Sequence, residues 1–252
     1  MAKPEPHGGY HRIVSTEDES PRPFVRLDVW GVRPRGVARA LLRMGTQRLQ
    51  LRRQPGITFT KLLGTSSGET FTMRDADPRH WVIISAWSDE QQARAFQGSS
   101  IAQSWNSSAQ EQLTVLMQPL VSRGQWSGRE PFAVIDKKAA PGVIAAITRA
   151  RIKPKMWTKY WSSVPPVSLD LHNDPGVVFT LGIGEAPVGL QGTFSIWRNA
   201  KAISDFAYRR PAHAEVIRRT HEMQWYSEEM FTRFQVLDVT GTYNGNSLTI
   251  ET

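Results

Sequence analysis

The stretch Pro55-Gly-Ile-Thr-Phe-Thr-Lys-Leu-Leu-Gly64 returns as Pro175-Gly-Val-Val-Phe-Thr-Leu-Gly-Ile-Gly184. Both copies are Pro-Gly turns that open an apolar strand, and an internal repeat governs every other fold argument. Ser85-Ala-Trp87 matches Ser195-Ile-Trp197, and a Phe follows nine residues after each Trp, at Phe96 and Phe206. Upstream, Gly36-Val-Ala-Arg-Ala-Leu41 resembles Gly142-Val-Ile-Ala-Ala-Ile147. Three matches in one order read as a duplication.

Each copy then has one series of elements. Strand one is expected at Phe24–Val32, where Val25, Leu27 and Val29 alternate, and at Pro131–Lys137 in the second copy. A helix is predicted from Pro34 to Arg52, with proline near the start where a missing N–H costs little, and its partner after Pro141-Gly142. Strand two follows the Pro-Gly turn. Strand three is His80–Trp87 or Leu190–Trp197. A second helix starts near Asp89 or Asn199, both residue types that cap helices well. Strand four is Glu111–Val121 or Phe234–Thr242.

The order β-α-β-β-α-β is the ferredoxin-like plait. The expectation is therefore an α+β chain of two fused ferredoxin-like repeats that meet sheet to sheet as a pseudo-dimeric α/β barrel. The boundaries are a disordered leader over 1–23, a first repeat over 24–128 and a second over 129–252. The leader holds four prolines and no apolar core. By this alignment the second copy is longer between its first helix and its Pro-Gly turn. Met156, Trp157, Tyr160 and Trp161 fall there, as an aromatic lid over a pocket or as a plain packing helix.

The composition excludes several chemistries. No cysteine is present, which removes thiolate nucleophiles, zinc–thiolate sites, iron–sulfur clusters and thiolate-ligated haem. Metal, P-loop and dinucleotide motifs are missing, and Gly182-Ile-Gly184 ends a strand with no helix after it. The net charge of +8 is spread over helix-patterned arginines, which reads as solvated faces, and no nucleic-acid motif accompanies it. No run approaches the length of a membrane span.

Of six histidines, His7 and His11 lie in the leader, His80 reads as a surface or capping residue, and His172 sits in a turn sequence. His213 follows Pro211, which predicts a kink or restart of the helix. On a helix it shares a face with Phe206, Arg209, Arg210, Val216, Ile217 and Thr220, with His221 at the rim. That face suits a neutral imidazole in an apolar pocket, or a satisfied core histidine. Glu228-Glu229 reads as a helix N-terminus, and Asp136 and Asp205 as lone carboxylates.

Several stretches, in order, resemble the spheroidene monooxygenase family. They are Arg123-Gly-Gln-Trp-Ser-Gly128 with Pro131-Phe132, Thr148-Arg-Ala-Arg-Ile-Lys-Pro154 and Gly182-Ile-Gly-Glu-Ala-Pro187. Then come Thr193-Phe-Ser-Ile-Trp197, Pro211-Ala-His-Ala-Glu-Val-Ile-Arg218 and Trp225-Tyr-Ser-Glu-Glu-Met-Phe-Thr-Arg-Phe234. The resemblance covers Phe24 to Val236.

It implies a haem b monooxygenase that oxidises a hydrophobic substrate with O2 and an electron donor such as ferredoxin. It implies His213 as the iron ligand, Arg209, Arg210 and Arg218 near the propionates, and Phe179, Phe194, Trp197 and Ile217 as pocket walls. The first-half counterpart of His213 is Gln103, so one haem per chain is expected. Where the family pattern has Phe-Lys-Ile-Gly, this chain has Phe179-Thr180-Leu181-Gly182. That departure motivates a second reading, a haem-dependent dehydratase or nitrogen-transforming tailoring enzyme, and a third is a non-catalytic haem or apolar-ligand carrier. The chain is expected in the cytoplasm, with peripheral membrane contact and homo-oligomer formation left open.

Overall fold

A computed structural model describes residues 23–69, 73–132, 134, 141–185, 190–248 and 250. The first repeat comprises β1 (Phe24–Val32), α1 (Val37–Arg52), β2 (Ile57–Ser66), β3 (Ala76–Trp87), α2 (Glu90–Ala95), α3 (Ser100–Asn106) and β4 (Ala109–Gly124). The second comprises β5 (Ile144–Ile152), α4 (Trp157–His172), β6 (Val177–Gly184), β7 (Leu190–Trp197), α5 (Ala200–Arg209), α6 (Pro211–Met223) and β8 (Tyr226–Tyr243), with β9 (Asn246–Ser247) appended to it.

Within each repeat the strands run fourth, first, third, second, all antiparallel. The two sheets then join edge to edge and close a barrel. One seam is long, from Leu113 opposite Gly241 to Gly124 opposite Met230. The other is short, with Gly64–Ser66 against Gly182–Gly184. Gly124 and Gly241 bracket the long seam at φ +81° and +96°. A Cβ there would come within 2.2 Å of the Glu229 carbonyl or 1.9 Å of that of Gln112, so only glycine lets the strands approach. Closure covers the β4 and β8 edges along the long seam, whereas β2 and β6 pair with each other only over their last three residues.

Alternation along the strands divides the apolar residues into two sets. Val25, Leu27, Val29, Val82, Ile84, Val115, Ala145, Ile147, Phe194, Ile196 and Phe234 point inward and fill the barrel. The opposite faces are covered by helices, in one cluster per repeat.

The duplication is exact in its small devices. The indole N–H of Trp87 donates to Ser85 Oγ, and that of Trp197 to Ser195 Oγ, each at 2.8 Å. Phe96 lies 5.4 Å from the Trp87 ring and Phe206 lies 5.2 Å from Trp197. Asp89 accepts from the Gln92 N–H and Asn199 from the Ala202 N–H, capping α2 and α5. Pro211 restarts the helix, because Arg210 before it is extended at φ −83°, ψ 120°.

The sequence reading is corrected at the start of the second repeat. Pro131, Phe132 and Val134 are not in a strand, and residues 133 and 135–140 lie outside the described residues. Gly142-Val143 leads into strand β5, so its likeness to Gly36-Val37, which opens α1, was one of letters only. Phe24 and Ile144, Pro34 and Pro154, Val37 and Trp157 each stand 120 residues apart. Met156, Trp157, Tyr160 and Trp161 are therefore no insertion. They start α4, the counterpart of α1. Glu228 and Glu229 belong to β8, not to a helix. The expected leader lies, apart from Pro23, outside the described residues, and so does Asp136.

Candidate functional site between the second sheet and its helices

The repeats share a backbone and differ in what fills the space under their helices. In the first repeat a row of neighbours crosses the helix-side face: Leu62, Ile83, Asp28 and Thr114. The corresponding row in the second is Gly182, Thr193, Thr148 and Phe231. One step along the strands, Trp30 pairs with Trp81, where the second repeat pairs Ala150 with Gln191. Two tryptophans and an isoleucine are thus replaced by alanine, glutamine and threonine, whereas Gly182 stands in place of Leu62 because Ser66 and Gly68 already fill the space beside it. Protein interiors tolerate few voids, so such a loss of volume has to be met by another element or by a ligand.

Among the described side chains, those of α6 do not make up the difference. In the first repeat α3 drives Ile101, Ala102 and Trp105 into the core, and Trp105 stacks on Trp30 at 5.4 Å. In α6, Glu215, Val216, Thr220 and Met223 are half-buried, and none of the described side chains is buried. Other exchanges run the other way: Thr114 becomes Phe231, and Ala40 becomes Tyr160, which turns to the Trp225 and Tyr226 rings at the end of the barrel. Burial pushes the Tyr160 phenol well above its usual value, so it is a neutral group.

The outcome is visible at Thr148. It sits mid-strand in β5, between β7 and β8, yet it is exposed. Its counterpart Asp28 is 0% exposed and locked to Arg26 by a pair of hydrogen bonds of 2.8 Å. A mid-sheet residue open to solvent marks a cleft between sheet and helices. Trp197, Ile203 and Phe206 form a buried cluster farther along the same face. Arg233 projects from β8 on this face, over the Phe231 ring and within 3.3 Å of Ser204 Oγ. Burial, with Arg123 nearby, lowers its pKa, and among the described residues no carboxylate pairs with it.

The expected site residues are distributed unevenly around this cleft. His213 and Ile217 lie on α6, but the side chains of 211–214, 217 and 221 lie outside the described residues. Trp197 is on the helix side, as a wall should be. Phe179 and Phe194 are not. They point into the barrel, where Phe179 meets Phe194 at 6.2 Å and Tyr243 at 5.2 Å. The sheet itself separates them from any group that α6 could hold.

Arg210 binds Asp174 at 2.9 Å. Arg209 binds Asp205 at 3.3 Å and Arg218 binds Glu215 at 2.7 Å, both at the surface. Asp205 is thus no lone carboxylate, since Lys201 holds it too. Thr148, Ala150, Gly182, Thr193 and Arg233 escaped the sequence reading. The 120-residue offset would have revealed Ala150 and Gly182 as small residues in place of Trp30 and Leu62.

Two charged networks close the ends of the barrel. At one end Arg149, nearly buried, joins Glu228 and Glu185, and Glu185 also accepts from Lys61 at 2.6 Å and from the Trp126 indole at 2.7 Å. Burial would raise the Glu185 pKa; Lys61 and Trp126 outweigh it and hold the carboxyl below its usual value. At the other end His80 is 3% exposed, with Nδ1 2.5 Å from Asp77 and Nε2 2.8 Å from Glu111. It is an interior ion-pair residue, not the surface or capping group expected from its position. His172 ends α4, with Nδ1 2.8 Å from the Ser168 carbonyl. Among the described residues no cluster of His, Asp or Glu could hold a bare metal ion.

No family model matches the chain. Spheroidene monooxygenase of Rhodobacter capsulatus is 36% identical over 202 residues, which are 79% of this chain and 83% of that protein. The enzyme of the same name from Cereibacter sphaeroides is 35% identical over 204 residues, 80% of this chain. The match spans 63% of that protein, so the chain covers less than two thirds of its length. Among solved structures, an aldoxime dehydratase in complex with butyraldoxime superposes with a TM-score of 0.60 at 9% identity, over 88% of this chain and 81% of that one. A second aldoxime dehydratase gives 0.58 at 11% identity, over 88% and 83%. These structures share the barrel fold.

Proposed function

Because the chain belongs to the spheroidene monooxygenase family, we propose that it is a haem-dependent monooxygenase. It would oxidise a hydrophobic substrate with O2 and an external electron donor such as ferredoxin. The observation that carries the reading is the exposed mid-sheet Thr148, beside which the second repeat has Ala150, Gln191 and Thr193 where the first has Trp30, Trp81 and Ile83. A flat apolar group such as haem suits a space between this face of the sheet and helix α6.

His213 on α6 would be the iron ligand, since it lies on the helix that covers this face and cysteine is absent. Arg233, a partly buried cation with no carboxylate partner among the described residues, is a stronger candidate for a haem propionate than Arg209 or Arg218, which are committed at the surface. When bound, haem iron would supply the activation of O2 and the electron transfer that oxygen insertion requires.

The chain's own residues would do the rest. Trp197, Phe206 and Phe231 exclude water from the cleft. The hydroxyls of Thr148 and Thr193 offer donors and acceptors at its floor, for orienting a polar end of an otherwise apolar substrate. Gln103, on the short α3 of the first repeat, donates to the Gln97 carbonyl at 3.1 Å over a filled core. One haem per chain follows.

The experiment is turnover of a hydrophobic polyene under 18O2 with a reductant, after expression with a haem precursor. Label in the product supports oxygen insertion. Turnover of an aldoxime without O2 would assign the dehydratase reading, and haem exchange without turnover the carrier reading.

A further inference from the structure

Helix α1 presents a second feature that the cleft does not use. Its buried face is Ala40, Gln47 and Leu51, packed on the first sheet. Its opposite face carries Leu41, Leu42 and Leu49, which are 57%, 66% and 61% exposed. At 100° per residue, Leu42 and Leu49 lie within one narrow stripe with Ala38 and Gly45, and Leu41 borders it. Arg39 and Arg43 fall on one side of that stripe, and Arg48 and Arg52 on the other.

The charge around it has one sign. Arg33, Arg35, Arg39, Arg43, Arg48, Arg52 and Arg53 are all cationic, and no Asp or Glu occurs between Asp28 and Glu69. None of these arginines forms an ion pair with a described residue. Arg43 leans on the Trp105 ring and Ser108, and its pKa is lowered by burial and by Arg39. An exposed leucine stripe flanked by unpaired arginines is a surface made to be covered.

We infer that α1 is a membrane-docking helix. Its leucines enter the headgroup–acyl boundary of an anionic bilayer, and its arginines bind the lipid phosphates. A basic polar flank with leucines on the insertion face is the pattern of a helix that lies in a membrane interface. Association with a second copy would set seven arginines against seven, with no acid between them. A nucleic acid would neutralise the arginines and leave the leucines in water. An anionic bilayer satisfies both, and it is where a water-insoluble substrate would be met.

The test uses the full chain and vesicles of equal parts phosphatidylcholine and phosphatidylglycerol. Since the protein has no cysteine, Leu42→Cys, Leu49→Cys and, as a control remote from α1, Arg198→Cys each take one environment-sensitive fluorophore. On vesicles, emission should rise and shift to the blue at the first two positions and stay unchanged at the third. Co-sedimentation should weaken about tenfold in Leu42→Ser/Leu49→Ser and in Arg39→Gln/Arg48→Gln, and on pure phosphatidylcholine. Circular dichroism should be the same throughout, as these side chains are exposed.

Three results would overturn the assignment: no sedimentation of the full chain, binding that both double variants retain, or binding that depends on the arginines and not on the leucines. The last would point to an acidic protein or a nucleic acid. A dimer in solution that Leu42→Ser/Leu49→Ser dissociates would instead give the face to a second copy.

Discussion

Ala150 stands in β5 where Trp30 stands in β1, 120 residues earlier. Trp30 pairs with Trp81, stacks on Trp105 and donates its indole N–H to Asn106 at 2.8 Å. Ala150 pairs with Gln191, and no aromatic ring among the described residues stacks over it. One repeat fills its helix-side face with large side chains, and the other leaves it open at Thr148.

Thr193→Ile restores the residue that Ile83 supplies in the first repeat. Filling an open cleft with apolar atoms should raise stability by about 1 kcal/mol, or a few degrees in Tm. Thermal unfolding of the purified protein measures it. A fall in Tm would mean that the space over β7 is already packed.

The Arg149 network should behave as a buried ion pair. Arg149→Ala leaves Glu228 and Glu185 without their shared cation and should cost about 3–5 kcal/mol in a denaturant titration. Adding Glu228→Gln should return part of that loss. A cost below about 1 kcal/mol would mean that the barrel end is solvated and the pairs contribute little.

The His80 network predicts a pH dependence. Burial would lower the His80 pKa, but Asp77 and Glu111 outweigh it and raise it above the ordinary 6.5. The corresponding stability is therefore complete below 6.5 and is lost as pH rises through the raised value. Burial would raise the Asp77 and Glu111 carboxyls, yet their hydrogen bonds, including those to His80, hold both below their ordinary values. Their share is present above those values and lost as pH falls through the lowered ones. Native stability should peak near pH 5–6.5 in this respect, and His80→Gln should flatten the alkaline side of the profile. An unchanged slope in His80→Gln would exclude the network as its source.

Arg233→Met should weaken hemin binding about tenfold, the scale of one charge-assisted contact. Arg209→Met and Arg218→Met should leave it unchanged, because their guanidinium groups face surface carboxylates. Equal losses at all three positions would indicate a general charge effect instead.

Much of the fold was legible because the repeat is written in residues that perform local tasks. The Trp-to-Ser hydrogen bonds, the Asp89 and Asn199 caps and the Pro-Gly turns each act within a few residues, so a single sequence displays them. The start of β5 was missed because Gly142-Val143 imitates Gly36-Val37 in letters, and burial on both faces of β5 erases alternation. The charged networks were illegible for a different reason. Trp126, Arg149, Glu185 and Glu228 lie in four separate stretches and meet only when the barrel closes. The cleft was half-legible: its residues are ordinary, and only their contrast with the first repeat gives them meaning. Phe179 and Phe194 misled because an aromatic in a strand points to either face, and the register decides which.

The central claim is that the open face of the second repeat is a haem pocket served by His213. Its most direct test is a hemin titration of the wild-type protein, Ala150→Leu/Thr193→Ile and His213→Ala, read in the visible spectrum before and after dithionite and carbon monoxide. The account predicts one equivalent bound by the wild type, with a Soret band that shifts on reduction and on carbon monoxide. It predicts loss of uptake in the refilled variant with an unchanged circular dichroism spectrum, and an altered ligation spectrum in His213→Ala. No Soret band in the wild type, or full uptake by the refilled variant, would contradict it.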